Sequence, residues 1–368
     1  MKSYNTRKLI YDSLTNIIIW IIFLFYFILI RSYGVEETPA FERTMEFNIF
    51  RGIAQAITGG LIIGILFSVI NLGFEFTNLR KKSYLVIILI ETFCQLIITL
   101  LAILGIISVT RNYLPADEII DIKAITAGII FGKTFFIFFS YSLIVSLFIN
   151  FFRSVKQKIG PHVFFNLLLG KYRNPIEEER IFLFVDLKSS TTIAEKLGHI
   201  KYSNLIKDCF SDLTETIFQH QIEVYQYVGD EAVLTWKMKE GLKNHNCIKA
   251  FFHYQDTLNK KSQYYTRKYG LVPVFKAGGN IGTVTTTEVG VIKREIAYHS
   301  DVLNTAARIQ GKCNEYGQSL LISESLKEKL KLDNSYISNE LGEVLLRGKN
   351  EVVKIFSVEQ TSSTLSKA

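Results

Sequence analysis

Four long apolar stretches, around residues 14–30, 52–72, 84–109 and 125–152, dominate the first 152 residues of the chain. A helix needs about 20 such residues to cross a bilayer core. The pattern therefore predicts a four-helix transmembrane domain over 1–152. Residues 153–178 form a connector in which Gly160-Pro161 breaks any helix continuing from the fourth span. Val163, Phe164, Phe165, Leu167, Leu168 and Leu169 then predict a short helix, packed on the next domain or paired with its twin in a dimer.

From Arg180 the period changes. Ile181 to Val185 is a continuous apolar run ending at Asp186, as in a strand buried on both faces. A helix follows over 189–219, with Leu197, Leu205, Ile206, Phe210, Leu213 and Ile217 on its periodic face. Next come a hairpin over 224–236 turning at Gly229-Asp230, a helix near 240–268, a strand at 272–281 and a second hairpin near 283–297. A helix at 301–314 and a short closing set complete a domain over 179–358, with a polar tail at 359–368. The fold class is α+β, and the order predicts a ferredoxin-like βαββαβ core with additions. That fold hosts many functions and decides none.

Charge refines the first half. Lys2, Arg7 and Lys8, then Arg80, Lys81 and Lys82, then Arg153, Lys156 and Lys158 flank alternate ends of the four spans, while Glu36, Glu37, Glu42, Glu46, Asp117, Glu118 and Asp121 occupy the other loops. Basic loops stay cytoplasmic, so both termini are expected there. No small-residue cleavage site follows the first span, which suits a retained anchor. The net charge of +8 divides into +5 for 1–178 (17 basic, 12 acidic) and +3 for 179–368 (25 basic, 22 acidic). Neither half is basic enough to call for a nucleic-acid partner. Cys94, Cys209, Cys247 and Cys313 are widely spaced, so free thiols are expected.

Two charges lie inside spans. Glu91 sits near the cytoplasmic end of the third and Lys133 near the outer end of the fourth, at different depths. Lys133 is expected to snorkel outward, and Glu91 to be protonated or bonded to a polar neighbour such as Gln95. A polar sensing pocket is the alternative.

The candidate chemistry lies in the second half. The topology brings Asp186, at the end of the first strand, to the same sheet edge as Asp230 in the hairpin turn. Paired carboxylates suit Mg²⁺ or Mn²⁺. Ser190 and Thr191 open a helix whose free N–H groups favour phosphate oxygens. Asn304 and Arg308, four apart, share one helix face. Arg347 and Lys349 precede the last strand. Taken singly, each has a plain reading as a turn, a helix cap or a solvated surface.

As a set, "FLFVDLKSST", "YQYVGDEAVLTW", "FKAGGNIGTV", "YHSDVLNTAARIQ" and "LRGKNEVVKIF" resemble the class III nucleotide cyclases, the adenylate and guanylate cyclase family, over about 172–358. The resemblance implies that Asp186 and Asp230, with the Leu187 carbonyl, bind two Mg²⁺ or Mn²⁺ ions. Asn304 would orient the ribose, Arg308 would stabilise the transition state and Lys349 would contact phosphate. Sites shared across a homodimer, anchored in a bacterial cytoplasmic membrane, are implied too.

Two positions depart from the family. Where adenylate cyclases read the purine with lysine and aspartate or threonine, and guanylate cyclases with glutamate and cysteine, this chain has Gln226 and Ala297. Asn280 stands where many relatives have histidine. ATP is the expected substrate on family grounds, with GTP the alternative. A diguanylate cyclase would have no use for Asn304 and Arg308, and a membrane receptor with a degenerate cyclase domain is the non-catalytic rival.

Overall fold

The computed structural model describes residues 2–34, 49–75, 83–111, 133–159, 166, 169–345 and 352–361. They fall into two compact units, Met1–Ile159 and Gly160–Ala368.

The first unit is helical: α1 (Lys2–Gly34), α2 (Ile49–Glu75), α3 (Tyr84–Arg111) and α4 (Lys133–Ile159). Among the described residues three helices are long and apolar enough to cross a membrane, at Ser13–Ile30, Gly52–Asn71 and Phe136–Val155. A shorter apolar stretch, Leu85–Leu101, lies in α3. The outer surface of the unit is apolar, with Ile10, Leu14, Ile18 and Ile22 exposed, while its interior mixes an apolar cluster (Trp20, Leu24, Phe67, Val145) with buried polar side chains such as Asn16, Gln95 and Asn150.

Glycine lets α2 approach α1. A Cβ at Gly64 would lie 2.6 Å from the Ile17 Cα, and one at Gly60 would lie 2.8 Å from the Ile21 backbone. Between α3 and α4, Gln95 and Asn150 exchange amide hydrogen bonds of 2.9 and 3.3 Å, and Asn150 also donates to Thr92. Glu91 does not bond to Gln95 as expected; it pairs with Arg153. That arginine, read from the sequence as a flanking cation, reaches back from the last turns of α4 to a carboxylate near the start of α3. The Lys133 side chain lies outside the described residues. So does the predicted connector helix, except for Asn166 and Leu169, and α4 itself continues seven residues beyond the expected boundary at 152.

The second unit is one sheet with helices on both faces. Its strands are β1 (Ile176–Leu187), β2 (Glu223–Val228), β3 (Glu231–Lys237), β4 (Phe275–Val289), β5 (Glu295–His299), β6 (Leu320–Ser323), β7 (Tyr336–Leu345) and β8 (Val352–Gln360). The order is β2-β3-β1-β4-β6-β8-β7, with β5 paired to β4. The segment β2-β3-β1-β4 is the expected ferredoxin-like arrangement, and β6, β8 and β7 extend it past β4.

β1 is covered on both sides. Ile181, Leu183 and Val185 pack with Leu205, Cys209 and Leu213 of α6 (His199–Gln219) and Ile248, Phe251 and Tyr254 of α8 (Asn246–Lys260). Phe182 and Phe184 face the other way, toward Val302 and Ala306 of α10 (Asp301–Lys312). The remaining helices are α5 (Ser190–Leu197), α7 (Met238–Leu242), α9 (Ser262–Tyr269) and α11 (Glu324–Leu330).

The helix expected near 240–268 is divided among α7, α8 and α9, and three other details differ from expectation. The helix over 189–219 is two helices, because Gly198 adopts φ 73°, ψ 161°, a conformation open to glycine. The strand and second hairpin predicted near 272–297 are one long strand, β4, with β5 folded back on its end. The final strand reaches Gln360, and Thr361 donates to the Ser335 carbonyl, so the polar tail starts later.

Candidate active site

The site begins with register. Asp186, next to last on β1, pairs with Glu231 on β3 and Lys276 on β4. The β2–β3 turn, where Gly229 takes φ +62°, presents Asp230 directly before Glu231. Sheet pairing therefore brings three acids, distant in sequence or adjacent in the turn, to one edge.

Their electrostatics follow from that crowding. Burial, and then the Asp230 charge, hold the Asp186 carboxyl above the usual carboxylate range. Glu231 is pushed to about 7 by burial, then by Asp186 and Asp230. The Lys276 ammonium lies 3.3 Å from Asp186 Oδ2, and Gln310 Nε2 donates to the same oxygen at 2.9 Å. Burial, and then the Asp230 charge, push the Tyr202 phenol up to about 12. Asp230 Oδ2 is buried with no hydrogen-bond partner among the described residues. An orphaned carboxylate oxygen inside an acidic cluster fits a cation.

Among the described residues no group of three His, Cys, Asp or Glu side chains could hold a metal by itself. Two carboxylates are enough for Mg²⁺, whose remaining positions go to water, backbone and substrate phosphate. Leu187, whose carbonyl the sequence suggests as a further ligand, ends β1 with its side chain in the core. Ser190 and Thr191 start α5, half-buried and exposed respectively. The preceding Ser189, at φ 59°, makes no side-chain cap, so the first N–H groups of α5 have no partner from it.

α10 is held very close to the sheet. A Cβ at Gly278 would lie 2.1 Å from the Gln310 backbone nitrogen and 2.6 Å from the Ala306 carbonyl oxygen. One at Gly282 would lie 2.6 Å from Val302 Cγ2. Gly278 and Gly282 of "FKAGGNIGTV" are therefore clearance for this helix, while Gly279 faces Leu183, Ile322 and Leu326. Asn280 also serves α10: it donates to the Val302 carbonyl and accepts from Ser323 Oγ at 2.7 Å. Ser300 caps the helix through the Val302 N–H.

Asn304 is exposed on α10, and Arg308 is half-buried with Nη1 lacking a partner. Among the described residues no hydrogen bond or ion pair joins either to the carboxylates. Gln226 is exposed beside a bulge in β2. Ala297, on β5, pairs with Thr287. Lys349 lies outside the described residues.

Sequence reasoning missed Gln310, Lys276 and Tyr202 around the acids. Gln310 had a usable signal, being a polar residue on the Val302, Ala306 and Ile309 face that packs on the sheet.

A family model described as the adenylate and guanylate cyclase catalytic domain matches residues 174–360. Adenylate cyclase 2 of Rhizobium meliloti (strain 1021) is 32% identical over 226 residues, 61% of this chain and 62% of that protein. An adenylate cyclase of Anabaena cylindrica is 27% identical over 183 residues, 48% of this chain and 36% of its own length. The chain thus spans less than two thirds of the curated relatives it matches. The solved structure of a bacterial light-regulated adenylyl cyclase superposes with a TM-score of 0.52 at 18% identity, covering 61% of this chain and 68% of that one; at that identity the likeness concerns the fold.

Proposed function

This chain belongs to the adenylate and guanylate cyclase family, and we propose that it converts ATP to 3′,5′-cyclic AMP and pyrophosphate as a membrane-anchored homodimer. The observation that carries the proposal is the acid pair at the sheet edge, with Asp230 Oδ2 buried and unpartnered beside Asp186. In this reading Asp186, Asp230 and the Leu187 carbonyl hold two divalent cations, Mg²⁺ or Mn²⁺. Once bound, the ions neutralise triphosphate charge and make the ribose 3′-hydroxyl more acidic.

The 3′-hydroxyl gives up its proton to solvent as its oxygen attacks the α-phosphorus, the bond from that phosphorus to the bridging oxygen breaks, and pyrophosphate leaves with the electron pair. Ser190, Thr191 and the first N–H groups of α5 receive phosphate oxygens. Arg308 neutralises charge growing on the transferring phosphate, Asn304 holds the ribose, and Lys349 meets the triphosphate.

Arg308 Nη1 and Asp230 Oδ2 are complementary in charge, and each lacks a hydrogen-bond partner among the described residues. This supports a dimer in which each subunit lends Asn304 and Arg308 to the carboxylates of the other.

Gln226 and Ala297 are assigned to the purine. The Gln226 amide both donates and accepts, while Ala297 has no polar side chain. The relatives named as adenylate cyclases favour ATP. Three helices suited to crossing a membrane, together with the shorter apolar stretch Leu85–Leu101 of α3 as a fourth pass and the basic clusters beside them, support an anchor with both termini and the catalytic unit cytoplasmic.

The test is purified full-length protein with Mn²⁺ and either ATP or GTP, the product identified by mass. Cyclic AMP is expected to exceed cyclic GMP, and Asp230→Ala is expected to abolish both. A folded dimer yielding no cyclic product from either nucleotide refutes the assignment.

A further inference from the structure

Asp186 is read above as a metal ligand, and the inference here rests on that reading. A ligand carboxylate must present one oxygen in a defined direction while its neighbours repel it. Asp186 has two acids beside it, Asp230 and Glu231, whose charges oppose its own. What fixes it is a pair of donors, both on Oδ2: Lys276 at 3.3 Å and Gln310 at 2.9 Å. Among the described residues no hydrogen bond is made to Oδ1.

The two donors differ in kind. Lys276 carries the charge of a metal ion and opposes one arriving at the same carboxylate. Gln310 is neutral, so its hydrogen bond survives metal entry without electrostatic cost. It is also the better anchored of the two. Its residue is only 7% exposed, and its backbone is the part of α10 against which a Cβ at Gly278 would collide. A side chain rooted at the tightest point between α10 and β4 cannot drift, and neither can the carboxylate it holds.

We propose that Gln310 is the positioning residue of this site, holding Asp186 Oδ2 so that Oδ1 is ready for a divalent cation. Because Gln310 lies two residues after Arg308, the same bond also ties the Asp186 carboxylate to the helix that carries Asn304 and Arg308. Partners that orient a ligand typically contribute 10–100-fold to metal affinity or activity.

The test removes the donor and keeps the shape. Full-length wild type, Gln310→Met and Asp186→Asn are titrated with Mn²⁺ in the absence of nucleotide, free Mn²⁺ being read from its EPR signal. Gln310→Met is expected to raise the Mn²⁺ dissociation constant about 10-fold with little change in metal-free thermal stability. The Mn²⁺ concentration for half-maximal turnover should rise in step, while kcat at saturating Mn²⁺ stays within about 3-fold of wild type, below the roughly 10–100-fold that such partners contribute. If Gln310→Met does not fold, Gln310→Ala serves with the same expectations. Wild-type Mn²⁺ affinity in a folded Gln310 variant, with Asp186→Asn weakened, overturns the role of Gln310 and leaves the cyclase reading standing. Unchanged affinity in Asp186→Asn as well, or no binding by wild type, overturns the metal assignment itself.

Discussion

Adding one methyl group at Gly278 tests how tightly the site depends on the seating of α10. An alanine Cβ there would lie 2.1 Å from the Gln310 nitrogen, 2.5 Å from its Cα and 2.6 Å from the Ala306 carbonyl oxygen. All three are backbone atoms, so no side-chain rotation relieves the contact. Ordinary contact starts at 3.4 Å, and reaching it requires α10 and β4 to separate by roughly 1.3 Å. Overpacking of this kind costs about 1–3 kcal/mol or more, which for a unit of this size lowers Tm by about 2–4 °C per kcal/mol. Turnover should suffer more, because a displacement near 1 Å can cost about 10²-fold and α10 carries Asn304, Arg308 and Gln310. Gly311→Ala is the control: it adds the same methyl to the same helix where nothing lies within 4 Å, and helix propensity then favours alanine by up to about 1 kcal/mol. Gly282→Ala should fall between, since its obstacle is a valine methyl at 2.6 Å that can rotate away. Thermal unfolding and cyclic-nucleotide formation are measured on all three. Equal stability and equal turnover for Gly278→Ala and Gly311→Ala would refute the reasoning.

Two further outcomes follow from the electrostatics. Native Glu231 keeps its proton to about pH 7, whereas the unfolded chain releases it near 4.5. The unfolded state then binds fewer protons in that window, so this group makes the metal-free protein less stable as pH rises from about 4.5 to 7. Thermal unfolding in chelator should show that loss, and Glu231→Gln should shrink it. Arg180 is buried at 1% exposure between Glu178 and Glu223, each 2.8 Å away, with Tyr298 against its guanidinium. Arg180→Met leaves Glu223 without its cation and Glu178 with Lys171 alone, and is expected to cost about 3–5 kcal/mol, read as loss of denaturant or thermal resistance without a change in substrate preference.

The pattern of the chain carried the core of this fold because its strands are strongly periodic. Ile181 to Val185 has no polar position, which suits a strand covered on both sides. The Gly229-Asp230 turn placed the hairpin beside it, which is why Asp186 and Asp230 could be brought together from sequence. What depended on tertiary contact was not legible. Arg153 reads as a flanking cation until α3 lies beside α4, and Asn280 reads as a substitution until Val302 and Ser323 bond to it. The break at Gly198 was hidden because hydrophobic periodicity runs on through both helices. Gln310 was legible only as a misfit on an apolar face. Its purpose appears once β1 and α10 are packed, 124 residues apart in sequence.

The central claim is that Asp186 and Asp230 of one subunit work with Arg308 of the other on one nucleotide. Asp186→Asn and Arg308→Ala are each expected to be inactive, and co-expressing them provides the direct measurement. Random pairing makes half of the dimers mixed, and each mixed dimer has one complete site of two, so about a quarter of wild-type activity should return. A mixture no more active than either variant alone, with mixed dimers demonstrably present, would contradict the account.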